Sequence, residues 1–163
     1  MKLKNLLCIL LLAIPLSGLA QNKAAKKVTS YHEQKVECMA TELDGSMTLR
    51  TTGSGASRTD AKEQARKNAV WAVIFDGVQS NLKGVDCRPL LNEPNAHEKY
   101  EEYFNVFFAD GGEYLKYVSD KDEKIRSSER RKNKIYRTIT ITVRILRNEL
   151  KARLKADNIL KKN

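Results

Sequence analysis

Histidine is scarce in this chain: there are two in 163 residues, His32 and His97. A zinc centre needs three or four clustered ligands, and a serine or cysteine triad needs a histidine beside its nucleophile. Two histidines this far apart supply neither. Glycines occur at 53 and 55, but no Gly-Lys-Ser/Thr follows to supply the ammonium and hydroxyl of a phosphate loop. The dinucleotide fingerprint fails as well, because Arg58 stands where its third glycine belongs. Long apolar runs are missing after residue 20, so no membrane span is expected in the processed chain. Glu98, Glu101 and Glu102 cluster on what reads as the solvated side of a helix, with nothing nearby to raise a carboxyl pKa. No internal repeat or low-complexity tract is present. These absences disfavour an enzyme, and no catalytic residue, cofactor or metal is expected.

The beginning of the chain is more explicit. MKLKNLLCILLLAIPLSGLA has Lys2 and Lys4, an apolar stretch from Leu6 to Leu16, and small residues before Gln21. That order is the mark of a secretory signal peptide over 1–20. Cys8 lies ahead of most of the apolar run, not behind it, so it is not placed for lipidation. Export is therefore expected, to a periplasm or outer envelope, with secretion beyond it as the alternative. Residues 21–34 read as a flexible leader and 35–163 as one domain. Removing two lysines and no acid from 30 bases and 20 acids leaves a processed charge of 30 − 2 − 20 = +8. Outside the cytoplasm such charge suits lipid phosphates, lipopolysaccharide and other envelope polymers better than nucleic acid; keeping the protein soluble is the simpler use. Cys38 and Cys87 survive processing, and an oxidising compartment invites a disulfide that the chain-entropy model values at about 4 kcal/mol. Two buried thiols are the alternative.

Periodicity outlines the elements. Val36, Cys38 and Ala40 alternate in a first strand over 35–41, Asp44-Gly45 marks a hairpin turn, and Met47–Thr51 returns. After Gly53-Ser54-Gly55, Ser57 is placed to cap a helix, with Asp60 in its first turn. Ala61, Ala65, Ala69 and Ala72 share one face of that helix, a small-residue stripe that lets it lie close to a sheet. Lys62, Glu63, Arg66 and Lys67 populate the other face, and Asp76-Gly77 ends the helix. Asn95 and Glu98 have capping-box spacing ahead of Tyr100, Tyr103, Phe104, Phe107 and Phe108, an aromatic helical stripe expected to be core. Residues 113–119 read as a third strand and 134–146 as a fourth, with Ile139, Ile141, Val143 and Ile145 on one face. Thr138, Thr140, Thr142 and Arg144 lie on the opposite face, which would meet solvent or a partner. Asn148 begins a last helix carrying Leu150, Leu154 and Ile159. The order β-β-α-α-β-β-α implies an α+β fold: an antiparallel sheet of about four strands with helices on one face.

The stretch TGSGAS leading into RTDAKEQARKNAVWAVIFDG resembles the N-terminal domain of the flagellar T-ring protein and related small outer-membrane lipoproteins. More broadly the chain is similar to small exported envelope proteins of Gram-negative bacteria. The shared feature is a packing motif, so the resemblance implies fold and compartment and transfers no site residue. What remains as a candidate contact is the segment 119–137, whose acids gather at its start and bases toward its end. Arg126, Arg130, Arg131, Lys132 and Lys134 would form a basic hairpin ribbon; a solvated tip that protects strand edges is the competing reading. The expected function is a noncatalytic envelope adaptor that binds an envelope protein, or alternatively a polyanion- or glycan-binding module.

Overall fold

The computed structural model describes residues 36–130 and 137–161; for 120–122 and 127–130 it describes the backbone alone. The expected signal peptide (1–20) and leader (21–34), and Arg131, Lys132 and Lys134 of the expected ribbon, lie outside the described residues. The architecture is α+β. Strands β1 (Glu37–Thr41), β2 (Met47–Gly55), β3 (Val118–Arg130) and β4 (Arg137–Ile145) form one antiparallel sheet in the order β1-β2-β4-β3. Helices α1 (Arg58–Trp71), α2 (Ala96–Lys99), α3 (Glu101–Phe107) and α4 (Arg147–Ala156) accompany it.

The β1–β2 hairpin turns where Asp44-Gly45 predicts, with Gly45 at φ 80° and the Ser46 amide donating to Asp44 Oδ1 at 2.8 Å. β2 then runs four residues further than expected. Gly53 and Gly55 are part of the strand, opposite Ile139 and Arg137, instead of forming a loop. Their lack of side chains is what lets α1 approach. A Cβ on Gly53 would sit 2.8 Å from Ala65 Cα, and one on Gly55 would be 2.6 Å from the Ala61 amide nitrogen. Helix initiation follows the sequence: Asp60 N donates to Ser57 Oγ and Ser57 N to Asp60 Oδ2, both at 3.0 Å, closing a capping box. Ala61, Ala65 and Ala69 are fully buried against the sheet.

α1 ends in a π-helical turn, Ala72–Asp76, before Gly77 at φ 78°. The orphan carbonyls of Val73 and Ile74 accept the amides of Leu90 and Leu91 at 2.9 and 2.8 Å, which fastens the following loop to the helix end. The inner sheet face is Met47 and Leu49 from β2 with Ile139, Ile141, Val143 and Ile145 from β4, all buried.

Four local expectations are corrected. The aromatic stripe is divided between α2 and α3 at Tyr100, and Asn95 takes a left-handed conformation without a side-chain cap bond. Residues 113–117 form a 3-10 turn, so β3 begins at Val118. Tyr114 and Tyr117 explain this: both are buried, and a 3-10 turn brings residues three apart to one side where a strand would send them to opposite faces. Asn148 lies inside α4, where Leu146 is the N-cap; its side chain instead donates to the Asp44 carbonyl at 2.7 Å, pinning the β1–β2 turn.

Candidate functional site

The two faces of the sheet have opposite chemistry. Alternation along β2 turns Thr48, Arg50, Thr52 and Ser54 away from α1, and along β4 it turns Thr138, Thr140, Thr142 and Arg144 the same way. The register sets these residues directly opposite one another: Thr48 faces Arg144, Arg50 faces Thr142, Thr52 faces Thr140, and Ser54 faces Thr138. Hydroxyls bridge the strands at 3.0 Å between Thr52 and Thr140 and at 3.1 Å between Ser54 and Thr138. Two arginines are held by carboxylates at the rim, Arg50 by Glu37 at 3.4 Å and Arg144 by Glu42 at 3.7 Å.

β3 adds cations to the same face. Between the pairs Ser119–Arg144 and Lys124–Thr142, residues 120–123 of β3 stand against Val143 alone, and a second irregularity falls between Ile125 and Ser127. Bulges of this kind re-aim side chains. Lys124 lies opposite Thr142, and Arg126 folds back so that its Nε donates to Thr142 Oγ1 at 3.0 Å. Of the expected basic ribbon, then, Arg126 belongs to the sheet face and Arg130 pairs with Arg137 at the far end of the described hairpin.

The first bulge also has an inward consequence. It delivers Glu123 to α1, where Lys62 Nζ and Arg66 Nε meet its two carboxylate oxygens at 2.5 and 2.6 Å. The Glu123 side chain is only 5% exposed. Lys67 Nζ reaches Asp110 at 2.6 Å and lies over the Tyr114 ring. Glu63 accepts from the Tyr114 hydroxyl at 2.9 Å. The charged side of α1 is thus clamped to β3 and to the 110–114 segment. Arg58, Lys62, Arg66 and Ile125 line a shallow depression of about 320 Å³ there.

Several titratable side chains take part in the packing. Burial and the Glu63 carboxylate push the Tyr114 phenol well above its ordinary range, and burial with Asp157 does the same for Tyr103, which donates to that carboxylate at 2.6 Å. The His97 ring lies edge-on to Trp71 at 4.8 Å and to Phe75 at 5.7 Å. Phe104, Phe107 and Phe108 are buried as expected of core. Cys38 and Cys87 are free thiols in place of the expected bridge. Cys38 Sγ points along its own strand to the Ala40 carbonyl at 3.4 Å, and burial, with the neighbouring Cys87, pushes its thiol pKa up. Among the described residues no group of three or more His, Cys, Asp or Glu could hold a metal, and no helix is long and apolar enough to cross a membrane.

Sequence reasoning missed Asn68, which is buried in α1 and donates to the Thr52 carbonyl at 2.8 Å, and it missed Glu123 as a buried anchor. The signal for Asn68 was a polar residue beside the alanine stripe; for Glu123, a bulge hid its direction. The chain matches no protein-family model, no curated protein and no solved structure.

Proposed function

We propose that the chain is a noncatalytic accessory or adaptor domain of a bacterial cell envelope, exported by its N-terminal signal segment, that binds another envelope component. The observation that carries this reading is how the reactive side chains are used. The buried carboxylate Glu123 neutralises two cations of α1, the phenols of buried Tyr114 and half-buried Tyr103 are tied to carboxylates, and His97 is stacked among rings. Each such group joins one element to another, and its chemistry is spent on holding the fold. What faces outward is a broad polar sheet surface.

Crosslinking in intact cells, followed by identification of the attached molecule, tests the proposal. An envelope protein as the adduct supports it. Charge reversal at Arg130, Arg131 and Lys132 then asks whether the ribbon makes the contact, and an unchanged set of adducts removes the ribbon from the interface. Turnover of a substrate by purified protein that survives loss of both His32 and His97 would overturn the noncatalytic reading.

A second reading, a polyanion- or glycan-binding module, draws support from the guanidinium groups and hydroxyls that share one sheet face. Salt separates the two readings. Counterion release makes affinity for a charged polymer fall steeply with ionic strength, whereas an interface built on packed apolar anchors changes far less.

A further inference from the structure

The outward sheet face carries a more specific message than its charge. Three features coincide on it. First, cations gather around one residue: Arg50 stands across from Thr142 on β2 and Lys124 across from it on β3, while Arg126 reaches its hydroxyl. Neighbouring strands are spaced about 4.8 Å apart, which places the Arg50 and Arg126 backbones roughly 10 Å from each other across the sheet. Arg144 lies one step along, beside Thr48. Second, a hydroxyl array extends away from this cation cluster in two further rows, Thr52 with Thr140 and Ser54 with Thr138. Each hydroxyl offers one donor and two lone pairs, so the bridging bond in each row leaves a donor and further lone pairs available to a ligand. Third, the face is apolar-poor. Of the exposed large hydrophobic side chains among the described residues, Met39 sits at the β1 bulge and Ile125 lines the depression beside α1.

These features discriminate among partners. A protein partner is held by a few buried aromatic or aliphatic anchors, and the hollows at Gly84–Arg88 and beside α1 are lined by residues other than those of this face. A single-stranded nucleic acid stacks its bases on aromatic rings, and the described aromatic rings lie on the helical side of the sheet or within the core. A bare phosphate polymer would use the arginines and the hydroxyl donors but leave the hydroxyl lone pairs to water, because its oxygens only accept. An acidic sugar chain uses both, because the guanidinium fork matches a carboxylate and threonine hydroxyls exchange hydrogen bonds with sugar hydroxyls.

We propose that the outward face of the sheet is a binding surface for an acidic polysaccharide, with Arg50, Arg126 and Arg144 taking the carboxylates and the Thr52–Thr140 and Ser54–Thr138 rows taking the sugar hydroxyls. Among the described side chains the charge balance is favourable, since four cations (Arg50, Lys124, Arg126, Arg144) stand against the rim carboxylates of Glu37 and Glu42. This inference rests on the second functional reading, and it moves the binding surface from the hairpin ribbon to the sheet.

The test titrates the full-length processed chain with a fluorescent oligogalacturonate, with polyphosphate and neutral dextran as parallel probes. Variants are R50Q/R126Q, T52V/T140V, and a ribbon charge reversal at Arg130, Arg131 and Lys132, each checked for unchanged circular dichroism. Valine keeps the β-branched shape of threonine, so T52V/T140V removes hydroxyls without weakening the strands. Oligogalacturonate binding is expected, with log affinity falling against log salt by about one unit per cation engaged. R50Q/R126Q should weaken it at least about tenfold and lower that slope by about two. T52V/T140V should weaken oligogalacturonate by a larger factor than polyphosphate, since only the sugar uses both the donors and the lone pairs. Binding that survives R50Q/R126Q but is lost in the ribbon variant overturns the sheet-face assignment while leaving polyanion binding intact. Polyphosphate binding without oligogalacturonate binding overturns the sugar assignment. Failure of every polyanion to bind removes the second reading itself.

Discussion

Replacing Gly53 with alanine isolates the contact on which the fold is built. A Cβ on Gly53 would project from β2 into the backbone of α1, against the Ala61 carbonyl, the Ala65 amide and the Ala65 Cα. These are main-chain atoms in a hydrogen-bonded helix, so no side chain can rotate aside; α1 has to lift from the sheet. Overpacking typically costs about 1–3 kcal/mol, and the rigid obstacle places this case at the upper end. Against it stands the reduced entropy of the unfolded chain, worth about 0.4–1 kcal/mol when glycine becomes alanine at a compatible site. The net expectation is a loss of about 2 kcal/mol. For a domain of this size that is roughly 4–10 °C in Tm. Calorimetry and urea unfolding at constant m-value would measure it, with Ser54→Ala, an exposed neighbour on the other face, as a control expected within about 0.5 kcal/mol of wild type. A companion change, Ala65→Gly, should not rescue Gly53→Ala, because the obstacle is the helix backbone and not the alanine methyl. Wild-type stability for Gly53→Ala would refute the account of helix and strand in near backbone contact.

Further outcomes follow from single side chains. Phe104→Ala should cost about 3–5 kcal/mol in urea unfolding, since Phe104 is buried among Phe75, Phe107 and Phe108; a ring serving as a surface platform would cost far less. Glu123→Gln should cost about 1–3 kcal/mol, because the α1 cations lose their buried counter-charge while remaining able to reach water, and a neutral result would place Glu123 outside the clamp. Acid should destabilise the fold. The Ser46 hydrogen bonds hold Asp44 below its ordinary 3.8, and the Lys116 hydrogen bond holds Glu113 below its ordinary 4.5. A carboxyl with a lowered folded pKa contributes stability above its unfolded pKa and loses it as pH falls through the folded one. Urea midpoints should therefore hold steady above about pH 5 and decline below it, with Glu113→Gln flattening part of the decline.

Much of the fold was legible because burial imposes periods on a sequence. Isoleucine and valine alternating with threonine from 139 to 145 required a strand with one dry face, and alanines at 61, 65 and 69 required a helix lying close to something flat. The aromatic residues announced core, though they could not show that Tyr100 would break their helix. The candidate site was only half visible. Alternation alone identified the threonine face, but Arg50 and Arg126 joined it through pairing partners distant in the chain, and no local pattern carries that information.

Local chemistry was enough to determine, from the residues alone, the capped helix at Ser57, the turn at Asp44-Gly45 and the α+β class, since each is written in short-range pattern. The tertiary structure decided the rest. Register placed cations around Thr142, a bulge in β3 turned Glu123 inward to clamp α1, and Gly53 and Gly55 became strand residues because the helix needed their missing side chains. All three depend on which distant segments share a contact, and packing in three dimensions is what sets that.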